Sequence, residues 1–156
     1  MTAEHPGAPG PVSPVYFDSA LVAKFYLKET GRDAVRRVAV EAGAVVTSGI
    51  AVAEVAAAFH RKFREGAVER SVFKALQGQF EYDLGQGIWK VVGPTEAILL
   101  EVQALFASLD RKVFLRSLDA LHLVTARAER FTRLYSNDRH LLRACASMGL
   151  EGVDPT

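Results

Sequence analysis

The sequence predicts an α/β fold, with a mostly parallel central sheet flanked by helices in three α/β/α layers. Two observations carry this. Short runs rich in Val, Tyr and Thr alternate with longer stretches of helical periodicity, and strands alternating with helices build parallel sheets through right-handed crossovers. The 156 residues are 49% apolar, enough for one real core.

In order, "VYF" (15–17) predicts a brief first strand. "SALVAKFYLKE" and "GRDAVRRVAVEAG" predict two helices, and "AVVTS" (44–48) a second strand. "IAVAEVAAAFHRKFREG" predicts a helix that Gly66 ends. "ERSVFKALQGQFEYD" predicts another helix, weakened by Gly78. "IWKVV" is a third strand, and Pro94 suits the first turn of "PTEAILLEVQALFASL". Then come helix "SLDALHLVTARAERF", strand "RLY", helix "DRHLLRACASMG" and a last edge strand, "EGV". The first fourteen residues hold four of the six prolines and predict a flexible Pro/Gly-rich tail, leaving 15–156 as one domain.

Composition excludes several classes. Nineteen Lys and Arg against eighteen Asp and Glu give no bulk charge to drive the chain onto nucleic acid, so an RNA site here needs a local basic patch. Cys145 is the single cysteine, which rules out an internal disulfide, and four scattered histidines lack zinc spacing. No run reaches the ~18 apolar residues of a membrane span. The opening "MTAEHPGAPGPVSP" has no apolar signal region, so a reducing cytoplasm is the expected setting.

Four acids stand where such a sheet binds ligands, beyond the carboxyl ends of its strands. Asp18 follows strand "VYF" directly, and Asp138 lies just past "RLY"; helix capping alone also explains either one. Glu54 lies past the first turn of its helix, beyond a Ser48 or Gly49 cap and too late for a capping box. It stands opposite a stripe of Val52, Val55, Ala56, Phe59 and Phe63, among Ala51, Ala57 and Ala58. Asp119 sits in the mostly apolar "LRSLDALHL", where an unpaired buried carboxylate is costly. A Ser117 cap would make it a first-turn acid favoured by the helix dipole. His122 lies one turn later on the same side, more readily read as structural than as a ligand. If the four acids converge, they need a counter-charge. Oxygen ligands without a Cys or His cluster suit Mg²⁺ or Mn²⁺, which lowers the pKa of bound water and polarises a phosphodiester.

"VYFDSALVAKFY", "TSGIAVAEVAAAFHRK", "LRSLDALHLVTA" and "LYSNDRHLLRACASMGL" follow one another in the order and rough spacing of the PIN-domain family. The chain from Val15 to Pro155 resembles that family, and within it the VapC-type ribonuclease toxins of toxin–antitoxin pairs. The resemblance implies a PIN-like fold and Mg²⁺- or Mn²⁺-dependent RNA cleavage. It places Asp18, Glu54, Asp119 and Asp138 as catalytic and metal-binding acids, with Asp18 and Asp119 holding the principal ion. Ser136 takes the hydroxyl position of the last turn and helps fix the acids, and Ser19 follows the first acid as is common in the family. Asn137 departs from the usual turn. The resemblance also implies a cognate antitoxin laid over the site, and a homodimer. His122 is common in one branch of the family without a fixed role.

An RNA substrate requires positive charge near the acids. Arg61, two turns beyond Glu54, and Arg116, just before Asp119, are the candidates for phosphate contact. The remainder of "HRKFR", "DRK" (110–112) and Lys24 reads as solvated helix surface. Phe17, Phe25, Tyr26 and Phe59 read as core or interface, and Cys145 as packing. A non-catalytic PIN-like module binding RNA or protein, or a housekeeping RNA-processing nuclease without an antitoxin, remains an alternative. A receiver or dehalogenase-like phosphatase needs a second acid beside Asp18, where "FDSAL" has Ser19 and Ala20.

Overall fold

A computed structural model describes residues 13–156, so most of the expected tail, residues 1–12, lies outside the described residues. Its elements run β1 (Val15–Tyr16), α1 (Ser19–Tyr26), α2 (Arg32–Ala42), β2 (Val45–Ser48), α3 (Ile50–Arg64), α4 (Arg70–Gly85), β3 (Trp89–Val92), α5 (Glu96–Ser108), α6 (Ser117–Ala128), β4 (Arg133–Tyr135), α7 (Arg139–Ala144) and β5 (Glu151–Val153). A single 3₁₀ turn, Cys145–Met148, extends α7.

All strand pairs are parallel. β1 pairs with β2 and β2 with β3, while β4 pairs with β5. The two ribbons meet through the Phe17–Tyr135 bridge and the Asp18 N–H, which donates to the Tyr135 carbonyl at 3.1 Å. The combined order is therefore β3-β2-β1-β4-β5. The chain leaves β1 to build one side of the sheet and returns at β4 to build the other. The switch point between β1 and β4 opens a crevice at their carboxyl ends, where open parallel sheets bind ligands.

Side-chain alternation along the strands splits the core into two layers. Tyr16 and Val46 face a cluster with Ile98, Leu105, Leu121, Leu123, Val124, Leu134 and Leu141, from α5, α6, β4 and α7. Phe17 and Val45 face the opposite cluster, with Leu21, Val22, Tyr26, Val35, Val55, Phe59, Phe80 and Trp89. β2 is buried at every position, as a central parallel strand covered on both faces must be. Phe17, Tyr26 and Phe59 are core residues, as the sequence implied, and truncating Phe59 to Ala would cost about 3–5 kcal/mol.

Several boundaries moved for local reasons. Leu27 turns extended and ends α1 early. Pro94 lies outside α5, whose cap is Thr95, its side chain accepting from the Ile98 N–H at 3.3 Å. The cap position of α6 is Arg116 rather than Ser117, and no side chain caps that end. Gly78 sits exposed inside α4 without interrupting it. On α3 the inward stripe is Ala51, Val55 and Phe59, while Val52 is 41% exposed. Gly66, at φ 72°, takes the left-handed conformation expected where that helix stops.

Candidate functional site

The first acid is placed by β1. Asp18 is the cap residue of α1, and its Oδ1 accepts from the Leu21 N–H at 2.9 Å. Its Oδ2 accepts from the Ser136 hydroxyl at 2.5 Å. Capping and site-building thus use different oxygens of one carboxylate. Burial pushes the Asp18 carboxyl above its ordinary value, against the opposing pull of His122 and of the hydrogen bonds from Ser136 and Leu21. At 4% exposure it is the most buried of the four acids.

The last acid repeats this arrangement. Asp138 caps α7, its Oδ1 accepting from the His140 and Leu141 N–H groups at 2.8 and 3.2 Å. Ser136 also accepts from the Asp138 N–H at 2.9 Å, so one buried hydroxyl ties the ends of β1 and β4 together. Partial burial raises the Asp138 carboxyl, but the two backbone N–H groups and Arg116 outweigh it and hold the group below its ordinary range.

Asp119 lies in the first turn of α6, and its partner is Arg116. The guanidinium Nε donates to Asp119 Oδ2 at 2.7 Å, and Nη2 donates to Asp138 Oδ2 at 2.5 Å. Asp119 is therefore a paired carboxylate, as is Asp138, whereas Asp18 and Glu54 have no arginine or lysine partner among the described residues. The hydrogen bond to Asp119 is the main cause that raises the Arg116 pKa further.

Glu54 projects from α3 beside two groups on other elements. Ser19 Oγ donates to Glu54 Oε2 in a short hydrogen bond, and His122 Nε2 lies 3.4 Å from the same oxygen. Burial works to raise the Glu54 carboxyl, but the hydrogen bonds of His122 and Ser19 outweigh it and lower the pKa. His122 itself is 2% exposed, held within seven consecutive buried residues of α6. Its Nε2 is 2.8 Å from Ser19 Oγ and its Nδ1 is 3.0 Å from the Tyr16 hydroxyl.

Asp18, Ser19, Glu54, Arg61, Arg116, Asp119, His122 and Asp138 line one cleft of about 690 Å³. Ser136 lies beneath it, against Asp18. Asn137, the departure in the turn, lines the wall without disturbing the Ser136–Asp138 contact. Lys24, Lys62 and Arg64 complete a basic side. Lys24 and Lys62 share Glu29 at 3.3 and 3.4 Å, whereas Arg61 and Arg64 are exposed. Among the described residues, no three acidic, histidine or cysteine side chains stand ready-made around one ion position. Arg116 occupies an oxygen of each of two acids there.

Tyr16 was absent from the sequence reading of the site. Its signal was a polar-tipped side chain in a strand that had to be buried, since a buried tyrosine hydroxyl needs a partner.

The profile of the PIN domain family matches residues 15–146. The chain belongs to the PIN domain family. No match was found among curated protein sequences. Solved PIN-type structures resemble it at low identity. VapC20 of Mycobacterium tuberculosis, a Sarcin-Ricin loop cleaving toxin, superposes with a TM-score of 0.63 at 14% identity, over 83% of this chain and 94% of that one. VapBC2 from Rickettsia felis, bound to a DNA fragment from its promoter, gives 0.66 at 14% identity, over 90% and 98%. FitAcB from Neisseria gonorrhoeae gives 0.63 at 13% identity, over 90% and 97%. These likenesses establish the three-layer PIN fold. No helix among the described residues is long and apolar enough to cross a membrane.

Proposed function

We propose that this PIN domain is a Mg²⁺- or Mn²⁺-dependent endoribonuclease, the toxin of a toxin–antitoxin pair acting in a reducing cytoplasm. The observation that carries the reading is the meeting of Asp18, Glu54, Asp119 and Asp138 in one cleft at the β1–β4 switch point. Chain segments more than a hundred residues apart supply them.

The donor set fits a hard divalent cation. Every candidate donor is a carboxylate or hydroxyl oxygen, the preference of Mg²⁺ and Mn²⁺. Asp18 is a buried carboxylate with a raised pKa, which a cation beside it would relieve. When bound, the ion supplies an activated water and polarises the scissile phosphodiester. Asp18 and Asp119 are assigned as its principal ligands, with Asp138 and Glu54 completing the set. Ser136 fixes Asp18, and Ser19 fixes Glu54. Arg61, exposed on the cleft wall, is assigned to an RNA phosphate. Arg116 neutralises two acids, and an ion held by those acids would free its guanidinium for the substrate phosphate.

Solved relatives that are toxin–antitoxin complexes support an antitoxin as partner; the homodimer is proposed from the family resemblance alone. One observation favours the alternative of a non-catalytic module: Arg116 already pairs with both Asp119 and Asp138. A cleavage assay separates the two. The purified protein should cut RNA with Mg²⁺ or Mn²⁺ and stop in chelator. Asp18→Asn and Asp119→Asn should each lower the rate by more than about 100-fold, since even residues behind metal ligands contribute about 10–100-fold. Full cleavage in chelator would sink the mechanism, and no cleavage by the metal-loaded wild type would leave the module.

A further inference from the structure

We propose that Tyr16, His122 and Ser19 form a buried positioning relay that fixes the carboxylate of Glu54. One oxygen, Oε2, is held back, and the other is left open to the cleft. The inference rests on the proposed nuclease reading for its consequence, though its geometry stands by itself.

The contacts dictate the direction of the relay. Ser19 has one hydroxyl proton, and its short contact with Glu54 Oε2 takes it, because a carboxylate only accepts. Ser19 Oγ also lies 2.8 Å from His122 Nε2. With its own proton spent, Oγ accepts there, so Nε2 carries the ring proton. Nδ1 is then an acceptor, and the Tyr16 hydroxyl at 3.0 Å donates to it. The Ser19 backbone N–H also points at Nε2, at 3.3 Å, and Nε2 lies 3.4 Å from Glu54 Oε2; the 2.8 Å contact with Oγ is the shortest at this nitrogen and sets the tautomer. Each donor thus points the same way: Tyr16 to His122, His122 to Ser19, Ser19 to Glu54.

Three features suit this set to positioning. Tyr16, Ser19 and His122 are all buried, so water does not compete for the contacts. They come from β1, α1 and α6, while Glu54 comes from α3, so the relay ties the two core layers together at the cleft. Only Oε2 of Glu54 is engaged, and Oε1 has no hydrogen-bond partner among the described residues. An outer group that orients a ligand is commonly worth about 10–100-fold in metal affinity or activity.

The first measurement is the ¹⁵N NMR spectrum of the His122 ring in the metal-free protein, which needs no activity. The relay requires the proton on Nε2, with Nε2 perturbed in Ser19→Ala and Nδ1 perturbed in Tyr16→Phe. A proton on Nδ1 overturns it. The second is a double-mutant cycle on Mn²⁺ affinity by calorimetry and on kcat against KM. His122→Leu should lower Mn²⁺ affinity and kcat about 10–100-fold with KM for RNA unchanged. His122→Gln, whose amide can donate to Ser19, should recover most of the loss. In the Ser19→Ala background, His122→Leu should add little, because the link is already cut. Independent, multiplying effects would overturn the relay, as would a His122→Gln protein as impaired as His122→Leu. If the wild type neither binds Mn²⁺ nor cuts RNA, the proposed function fails, and the NMR result still decides the relay.

Discussion

Arg116 and Asp138, 22 positions apart, meet at 2.5 Å in the cleft, and the same guanidinium holds Asp119 at 2.7 Å. One exposed arginine therefore neutralises an acid from α6 and an acid from the end of β4. A divalent ion seated on those oxygens must compete with it. Arg116→Ala should raise Mn²⁺ affinity several-fold while weakening RNA binding, measured by calorimetry and by fluorescence anisotropy. Unchanged Mn²⁺ affinity would show that the guanidinium does not compete for the acids.

Asp18 sets an unusual pH dependence. Burial raises its pKa, so the folded protein holds this proton more tightly than the unfolded chain. Its stabilising contribution is complete below the ordinary value of 3.8 and is lost as pH rises through the raised folded value. Glu54 and Asp138 work oppositely: their pKa values are lowered, so their contribution is present above the ordinary 4.5 and 3.8 and lost as pH falls through the folded values. In the metal-free protein, Asp18→Asn should match the wild type in Tm at strongly acidic pH and exceed it as pH rises toward neutrality. Thermal unfolding across that range checks the sign.

A polar clip outside the cleft should govern stability without touching activity. Trp89 Nε1 donates to the Tyr26 hydroxyl at 2.6 Å, and that hydroxyl donates to Asp83 Oδ2 at 2.6 Å, joining β3, α1 and α4. Asp83→Ala strands the buried hydroxyl and should cost about 1–3 kcal/mol in urea unfolding. Asp83→Asn retains an acceptor and should cost less, and both variants should keep the wild-type cleavage rate.

Arg61 should act through charge alone. Arg61→Ala should weaken RNA binding across sequences and reduce the salt slope of log K by about 1. A variant with the wild-type salt slope would remove Arg61 from the phosphate path.

Cys145 is fully buried, and burial pushes its thiol up to about 11. The native protein should therefore resist thiol reagents at neutral pH while the urea-unfolded chain reacts at once.

The strand-to-helix turns were legible in the sequence because Asp18 and Asp138 follow short β-type runs directly. Their two readings, cap and site acid, proved compatible, since each carboxylate gives one oxygen to a helix end and the other to a partner. The partner of Asp119 was only half visible: Arg116 was marked for phosphate, but its contact with Asp138 depends on how β4 is placed beside α6. The role of His122 was hidden for the same reason, because Tyr16 and Ser19 lie 106 and 103 positions away. Periodicity also overstated Val52, since the small Ala51 is the residue that faces inward on α3.

The central claim is that these carboxylates hold a divalent ion on which RNA cleavage depends. Calorimetric titration of Mn²⁺ into the wild type, Asp18→Asn and Asp119→Asn proteins, each confirmed folded, tests it most directly. The account predicts saturable binding to the wild type and its loss in both variants, in step with their loss of RNA cleavage. A wild type that cuts RNA without binding the ion, or variants that bind it equally well, would contradict it.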